Sequence, residues 1–256
     1  MKELILVAQE TTVYGKDLYG KKSLHILLKK LCEIRGIRWI RILYCYPEEI
    51  YDELIETIRD EKKICHYLDI PIQHASDRIL KRMGRRTSKQ ELIDIVGKLR
   101  KEIPDIVLRT TLITGFPGET EEDHEELKEF VDEMEFDRLG VFTYSPEENT
   151  PAAEMADQVP EEVKEERRDE LMELQQEISY DRGQDRIGQE LLVMIEGKVA
   201  DESAYIGRTY GDAPKVDGYI FVQTGELLMT GDFAKVRVTG ALEYDLIGVL
   251  SDEYTE

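Results

Sequence analysis

The sequence has few cysteines, a minority of basic residues and no long apolar segment, and each shortage excludes a class of protein. The three cysteines, Cys32, Cys45 and Cys65, are odd in number and widely spaced, which argues against a disulfide scaffold and favours a reducing cytoplasm. No apolar run is long enough to span a bilayer, and the first residues lack the pattern of a signal peptide. Acidic residues outnumber basic ones 55 to 34, for a net charge of −21, so the chain as a whole suits a basic partner better than nucleic acid.

The rest of the chain is organised around residues 106–120. The segment 106–114 is an apolar, β-branched run, which is typical of a strand buried on both faces. Gly-Phe-Pro-Gly at 115–118 predicts a tight turn, and Thr120 before three acidic residues predicts the N-cap of a helix. Ligands bind at the carboxyl ends of strands in such βα units. The pattern fits equally an ordinary turn and a site where backbone groups of Thr114 and Gly115 meet a nucleoside.

Four further segments have strand composition, and helical patterns separate them. The strand-like segments are 4–9, 40–46, 67–73 and 136–145, and helices are predicted at 24–34, from Pro47, before Gly84 and after Ser88. Right-handed crossovers would curl five such strands into a parallel sheet or partial barrel, because a complete eightfold barrel needs more units. The chain starts directly on a strand, so we expect a first strand to precede it.

A charged segment then leads to a second domain. Mixed charges over residues 160–185 predict a solvated connecting helix. Five short strands follow, at 191–197, 204–208, 218–222, 234–238 and 244–249, which is typical of a small antiparallel barrel of OB type. The predicted boundaries are 1–159, 160–187 and 188–256.

The second domain is acidic, although OB barrels often bind nucleic acid. Five basic residues stand against thirteen acidic ones from Gly188 onward. We therefore expect the barrel to attract a basic protein and repel RNA. The acids expected to do so include Asp201, Glu202, Asp212, Asp217, Glu226, Asp232, Glu243 and Asp245.

Four stretches taken together resemble one known family. They are residues 6–15 (LVAQETTVYG), 69–83 (DIPIQHASDRILKRM), 115–120 (GFPGET) and 144–152 (YSPEENTPA). Over the whole chain the sequence resembles the radical S-adenosylmethionine methylthiotransferases, and its barrel resembles their C-terminal TRAM domain. Residues 73–77 (QHASD) and 212–218 (DAPKVDG) are most similar to the branch that methylthiolates the β-carbon of an aspartate in ribosomal small-subunit protein twelve.

The resemblance implies cofactors, but this sequence lacks the cysteines that would hold some of them. Enzymes of this family carry two [4Fe–4S] clusters. One cluster reduces S-adenosylmethionine, whose 5′-deoxyadenosyl radical then abstracts a substrate hydrogen. The family motif Cys-x-x-x-Cys-x-x-Cys is absent here, and Cys32, Cys45 and Cys65 cannot supply it. We therefore expect a C-terminal part of a methylthiotransferase that binds no cluster by itself and is inactive alone.

The resemblance also assigns cofactor contacts. It places the methionine moiety near Gln9 and Thr11, the ribose near Gln73 and Ser76, the adenine near Thr114 and Gly115, and Tyr144 at the end of the last barrel strand. Arg109 lies in an otherwise apolar strand and needs an acidic partner. That partner is either a cofactor carboxylate or a structural Asp or Glu. Glu119 is expected to support the turn, and His74 is expected to be structural more often than direct.

Two rival functions stay open on the sequence alone. A transfer-RNA methylthiotransferase belongs to the same family and would carry a basic face on its barrel, which this sequence lacks. A non-catalytic module that binds a ribosomal protein or RNA would bind its partner without activity.

Overall fold

Residues 3–143 form a sheet with helices between its strands, as the apolar runs predict. The computed structural model describes residues 1–251. Within them, no helix is long and apolar enough to cross a membrane. The elements of this part are β1 (Glu3–Leu6), α1 (Lys16–Tyr19), α2 (Leu24–Cys32), β2 (Trp39–Ile42), a 3₁₀ turn (Pro47–Glu49), α3 (Asp52–Asp60), β3 (Ile64–Gln73), α4 (Asp77–Arg82), α5 (Lys89–Glu102), β4 (Val107–Thr114), α6 (Glu121–Met134) and β5 (Arg138–Thr143).

The five strands pair in sequence order, and every pair is parallel. Asp69 of β3 lies opposite Arg109 of β4, which lies opposite Arg138 of β5. Parallel neighbours joined by helical crossovers are what βαβ connections produce. The sheet is open, with β1 and β5 at its edges. The expected α/β partial barrel is confirmed.

One face of this sheet packs against the helices and holds the main core. Leu68, Leu108 and Leu112 are fully buried there, together with Leu54 of α3 and Phe130 of α6. Burying one such side chain stabilises the fold by about 1.5–3 kcal/mol. Because strand side chains alternate, the residues between them point to the opposite face.

The two predicted capping residues are confirmed. The Ser88 hydroxyl accepts a hydrogen bond from the N–H of Glu91, whose carboxylate accepts one from the N–H of Ser88. Thr120 and Asp123 form the same reciprocal pair at the start of α6. Such boxes satisfy two otherwise unpaired backbone donors at a helix start.

The helix predicted from Pro47 begins later than expected. Pro47–Glu49 is a single 3₁₀ turn, because Ile50 and Tyr51 are extended, with ψ of 136° and 161°. The α-helix α3 begins only at Asp52. Proline is favourable at the first position of both a 3₁₀ turn and an α-helix, so the sequence did not distinguish the two.

Residues 190–250 form a closed five-stranded barrel that confirms the OB-type prediction. Its strands are β6 (Glu190–Lys198), β7 (Ala204–Arg208), β8 (Ile220–Gln223), β9 (Phe233–Ala241) and β10 (Leu246–Leu250), and the barrel closes in the order β6-β7-β8-β10-β9. One detail differs from the all-antiparallel expectation: β8 and β10 run parallel. Successive strands reverse direction, so two strands that skip β9 and become neighbours must point the same way.

The charged helix α7 (Glu161–Gln184) is not the solvated connector that its charges predicted. The residues buried along one side are Lys164, Arg167, Leu171, Gln175, Ile178, Ser179 and Gly183. The Gln175 amide donates to the carbonyl of Phe136 at 2.8 Å. Near the end of the helix, a Cβ on Gly183 would lie 2.9 Å from that of Ala241 in the barrel. The helix therefore packs on both domains. Its buried face was not predicted because most residues of that face are polar.

The barrel packs on the sheet face that the helices leave free. The rings of Trp39 and Phe233 meet edge to face with centroids 4.9 Å apart, and they share an apolar cluster with Tyr67 and Val107. The Tyr67 hydroxyl donates to the carboxylate of Asp217 at 2.7 Å. These contacts cover the amino-terminal half of the strands on this face.

Buried ion pairs reinforce the contact between the domains. Glu3 of β1 accepts from Arg41 at 2.9 Å and from Arg208 of the barrel at 2.6 Å. Arg138 of β5 pairs with Asp212 at 2.6 Å. All of these carboxylates and guanidiniums lie largely out of water.

This interface corrects the expectation that Asp212 and Asp217 form part of the acidic surface of the barrel. Asp212 is 3% exposed. Although its burial opposes ionisation, Arg138 and Thr209 hold the pKa of Asp212 below its usual value. Burial raises the pKa of Asp217, although the hydrogen bonds from Ala213 and Tyr67 oppose the rise. Both acids therefore join the domains and do not face a partner.

Candidate functional site

The carboxyl-terminal half of the same sheet face is open and carries large exposed side chains. Val7 after β1, Tyr44 after β2 and Phe142 in β5 are 60%, 47% and 60% exposed. Ligands of α/β proteins bind at this edge of the strands, and grouped apolar side chains in water mark interaction sites. We call this region the strand-end surface and define it by residues 7–9, 44, 73, 111, 113 and 142.

Two glutamines assigned to the cofactor lie on the strand-end surface. Gln9 is exposed and Gln73 half-buried, and within residues 1–251 neither side-chain amide has a hydrogen-bond partner. Gln73 has a φ of 73°, and Tyr44 at the end of the neighbouring strand has a φ of 57°. A left-handed residue other than glycine costs about 1–2 kcal/mol, and such strain concentrates at functional sites. Free amides beside strained backbone make this region suited to a polar ligand.

Thr11 and Ser76 are buried and make hydrogen bonds within the protein. The Thr11 hydroxyl donates to the carbonyl of Leu43 at 2.6 Å, and the Ser76 hydroxyl donates to Asp123 at 2.7 Å. Burial disfavours the charged form of Asp123, but hydrogen bonds from Arg78, Thr120 and Ser76 lower the pKa of this carboxyl well below its usual range. A cofactor contact from either hydroxyl stays a prediction.

The Gly-Phe-Pro-Gly turn is held from within, as expected for Glu119. Its carboxylate accepts from the N–H of Gly115 at 2.8 Å and of Phe116 at 3.2 Å. The carbonyl of Thr114 accepts from the N–H of Tyr144 at 2.8 Å. These backbone groups are thus already paired, and their contact with adenine stays a prediction.

Glu119 also anchors a buried cluster behind the turn. Arg167 of α7 donates to its second oxygen at 2.9 Å, and both side chains are almost completely buried. His74 lies behind the turn, with its Nε2 3.5 Å from Glu119. The Nδ1 of His74 accepts from the N–H of Ser76. We call Gly115, Glu119, His74 and Arg167 the turn cluster.

The turn has no room for a side chain at its first glycine, which gives a prediction. Gly115 has a φ of 69°, and a Cβ there would lie 2.1 Å from Cγ of Lys164. Gly115→Ala should lower the free energy of unfolding by ~2–4 kcal/mol, from left-handed strain and overpacking together. Urea denaturation followed by circular dichroism measures it.

The matched control is Gly84→Ala. Gly84 has a φ of 74°, but no atom lies within 4 Å of its added Cβ. The control should lose only the strain, ~1–2 kcal/mol. Equal losses of unfolding free energy in the two variants would contradict this prediction. They would mean that Lys164 moves away at no cost and that the close packing of the turn does not contribute to stability.

Tyr144 packs behind the turn instead of on the strand-end surface. Its ring meets Phe116 edge to face at 5.2 Å. The Lys164 ammonium lies 5.6 Å from the ring centre and donates to the Tyr144 carbonyl at 2.9 Å. Within residues 1–251 the buried phenol oxygen has no partner.

Arg109 has structural acidic partners. Its Nη1 donates to Asp69 at 2.7 Å and to Thr111 at 3.2 Å, and its Nε lies 3.4 Å from Asp217 of the barrel. Burial opposes the charge, but Asp69 and the neighbouring Tyr67 and Asp217 raise the pKa of Arg109 above its usual value. Of the two partners left open by the sequence, the structure supplies the structural one.

The structure divides the eight predicted residues among several places. Gln9 and Gln73 share the strand-end surface, Thr114, Gly115 and Tyr144 surround the turn, and Thr11, Ser76 and Arg109 tie elements together. Sequence reasoning missed Tyr44 and Phe142. Alternate residues of a strand share a face, so Phe142 lies on the same face of the sheet as Arg138 and Gly140. The sequence could have shown this, but only the position of the barrel shows which part of that face stays open.

The three cysteines do not fit an iron–sulfur cluster. Cys45 is buried in the main core and Cys65 in the interdomain cluster, whereas Cys32 lies on α2. Burial raises the pKa of Cys65 to about 12 and that of Cys32 to about 11. Because the three thiols lie in separate parts of the fold, they do not converge on one cluster. Within residues 1–251, no three His, Cys, Asp or Glu residues are placed to hold a metal.

Comparison with known proteins gives similar sequences over both domains. Residues 2–131 match the Radical SAM superfamily, and residues 187–250 match the TRAM domain. "Ribosomal protein uS12 methylthiotransferase RimO" of Lachnoclostridium phytofermentans is 68% identical over 97% of this chain and 56% of its own length. The protein of that name from Clostridium botulinum (strain Langeland) is 54% identical over 100% of this chain and 57% of its own. The chain thus spans just over half the length of these relatives.

A solved structure supports the fold alone. Coproporphyrinogen III oxidase (HemN) from Escherichia coli, described as a radical SAM enzyme, aligns with a TM-score of 0.51 at 17% identity. The alignment covers 83% of this chain and 50% of that one.

Proposed function

Because the chain belongs to the radical SAM superfamily, we propose that it is part of an enzyme that uses S-adenosylmethionine to methylthiolate the β-carbon of an aspartate in ribosomal small-subunit protein twelve. The observation that carries this proposal is the 68% identity to a protein named as the uS12 methylthiotransferase, over 97% of the chain. Membership in an enzyme superfamily favours this reading over a non-catalytic ribosome-binding module. The free thiols of Cys32, Cys45 and Cys65 are consistent with a cytoplasmic setting.

The strand-end surface offers the groups that such a cofactor needs. S-adenosylmethionine, when bound, supplies the methyl group and the source of the radical. The unpaired amides of Gln9 and Gln73 would hydrogen-bond its polar groups, and Tyr44 and Phe142 would exclude water from its apolar sides. The turn cluster keeps the end of β4 in place beside them. These residues orient and shield the reactants, while the chemistry belongs to the cofactors.

The chain alone should bind no [4Fe–4S] cluster and show no turnover, since its three cysteines lie in separate parts of the fold. Anaerobic reconstitution followed by iron and sulfide analysis should give less than ~0.1 cluster per chain, because the thiolates that hold a cluster must converge on it. The triple variant Cys32→Ser, Cys45→Ala, Cys65→Ala serves as the blank. Stoichiometric iron that disappears in this variant would contradict the expectation.

The partner we propose is a basic ribosomal protein, bound through exposed acids of the barrel. Asp201, Glu202, Glu226 and Glu243 remain exposed in the structure. Acids at an interface rim steer a basic partner inward and speed its association. The same acids repel phosphate, so transfer RNA is the less favoured substrate.

Charge reversal at two of these acids tests the partner. Glu202→Lys combined with Glu226→Lys should weaken binding of ribosomal small-subunit protein twelve by roughly 10-fold at low salt, and the loss should shrink at high salt because exposed charges are screened. Isothermal titration at several salt concentrations measures it. Glu129→Lys with Glu133→Lys on α6, also exposed, makes the same charge change away from the barrel and should have little effect. Tight, salt-sensitive binding of transfer RNA without binding of the ribosomal protein would overturn the assignment.

A further inference from the structure

One segment of this acidic protein is strongly basic. Residues 16–38 contain seven Lys or Arg and two acids, a net charge of +5 in a chain whose total is −21. The segment comprises α1, α2 and the loops on either side. Within residues 1–251, Lys16, Lys21, Lys30 and Arg35 are exposed and contact no carboxylate. The surface therefore attracts acidic groups that residues 1–251 do not supply.

An apolar cleft lies between these cations. Its volume is about 400 Å³, and its lining residues are Tyr14, Tyr19, Lys21, Ser23, Ile26, Leu27 and Lys30. Tyr19 is 61% exposed, Ile26 is 40% exposed, and Leu18 beside them is 63% exposed. A cluster of exposed apolar side chains rimmed by polar or charged residues is typical of an interaction site.

The cleft is built into the fold. The N–H of Ser23 donates to the carbonyl of Tyr14 at 2.7 Å, and the N–H of Tyr19 donates to that of Gly15. Gly15 has a φ of 89°, and a Cβ on it would lie 2.7 Å from Cβ of Ser23. Because α1 is packed against the start of α2 in this way, a ligand would meet a preformed surface and lose little affinity to ordering it.

We propose that this cleft docks an acidic peptide segment of a partner protein, with one large apolar side chain in the cleft and carboxylates against Lys21 and Lys30. The charge selects the occupant. A basic ribosomal protein is repelled here, so this partner differs from the proposed substrate, and the inference does not rest on the proposed function. A single-stranded nucleic acid would satisfy the lysines and stack a base on Tyr19, but it would leave the aliphatic side chains of Ile26 and Leu18 unused.

The test uses the 256-residue chain and a fluorescein-labelled 14-residue peptide rich in glutamate with one central tryptophan. Fluorescence anisotropy should show saturable binding that weakens at least ~10-fold in the Lys21→Glu, Lys30→Glu variant, because reversal replaces attraction with repulsion at both rims. Replacing the peptide tryptophan by alanine should also weaken binding, and replacing its glutamates by lysines should abolish it. Lys81→Glu with Arg86→Glu is the matched control, since both cations are exposed on another part of the chain.

Four outcomes would overturn the proposal. They are the absence of saturable binding, equal losses in the test and control variants, no dependence on the peptide tryptophan, and tighter binding of a 14-nucleotide single-stranded RNA through the same lysines. Sedimentation of the chain without peptide tests whether a second copy of the chain occupies the cleft instead. A self-association that Lys21→Glu, Lys30→Glu abolishes would assign the cleft to a second copy of the chain.

Discussion

Arg167→Met should be among the most destabilising single substitutions in this chain, lowering the free energy of unfolding by ~3–5 kcal/mol. Arg167 is the charged partner of Glu119 at 2.9 Å, and both side chains are almost completely out of water. Removing one member of such a pair leaves the other buried without its opposite charge, which costs about 3–5 kcal/mol. Within residues 1–251, Glu119 would keep only hydrogen bonds from neutral groups, such as the N–H groups of Gly115 and Phe116. Denaturant unfolding followed by circular dichroism measures the loss.

The neighbouring arginine is a matched control. Arg168 pairs with Asp169 on the surface, where the two side chains are 36% and 63% exposed. Arg168→Met should cost less than ~0.5–1 kcal/mol, because exposed pairs contribute little. Adding Glu119→Gln to Arg167→Met should recover part of the loss, since the amide oxygen still accepts from the turn without carrying a charge. A loss at Arg167 no larger than at Arg168 would contradict the proposed role of the turn cluster.

Glu3→Ala should separate the two domains and cost ~3–5 kcal/mol. Glu3 accepts from Arg41, whose side chain is fully buried, and from Arg208 of the barrel, which is 3% exposed. The substitution removes the only carboxylate paired with Arg41 among the described residues, and a buried cation without its partner costs about this much. The Arg41 fork would keep only the Tyr210 carbonyl and the face of Tyr67.

The single tryptophan reports this separation directly. Trp39 lies at the interface, edge to face with Phe233, so undocking should shift its emission to longer wavelength before the sheet unfolds. Glu102→Ala is the control, because Glu102 pairs with Arg59 at a surface where both side chains are more than a third exposed. A Glu3→Ala variant with unchanged Trp39 emission and stability within ~1 kcal/mol of the parent chain would show that the other contacts, among them Arg138 with Asp212 and the apolar packing, hold the domains together without Glu3.

The local elements followed from the sequence because their causes are local. The capping residues Ser88 and Thr120 and the Gly-Phe-Pro-Gly turn with Glu119 beneath it were inferred from neighbouring residues and are confirmed. The five strands of the sheet are confirmed as elements, but β1 ends at Leu6 and β2 at Ile42, earlier than predicted. The start of α3 was misplaced because Pro47 opens a 3₁₀ turn and an α-helix equally well. The family could also be identified from the sequence, because several motifs in a fixed order are more specific than any one of them.

Long-range contacts decided what the sequence did not. The sequence predicted that Asp212 and Asp217 are surface acids. They are buried only because the barrel packs on the sheet, where they contact Arg138, Arg109 and Tyr67. The buried side of α7 was hidden because lysine, arginine and glutamine are ordinarily exposed, and their burial depends on partners distant in sequence.

The candidate site shows the same division. The sequence by itself determined that Gln73 ends a strand and that Gln9 belongs to the segment at the end of another, although β1 stops at Leu6 and Gln9 lies three residues beyond it. Periodicity and turn residues place strands without any knowledge of their neighbours. Only the tertiary structure decided that Thr11, Ser76 and Arg109 bind inward and that Tyr44 and Phe142 face the open surface. A hydrogen bond or an exposed ring is fixed by which elements meet in space, and that depends on the packing of the whole chain.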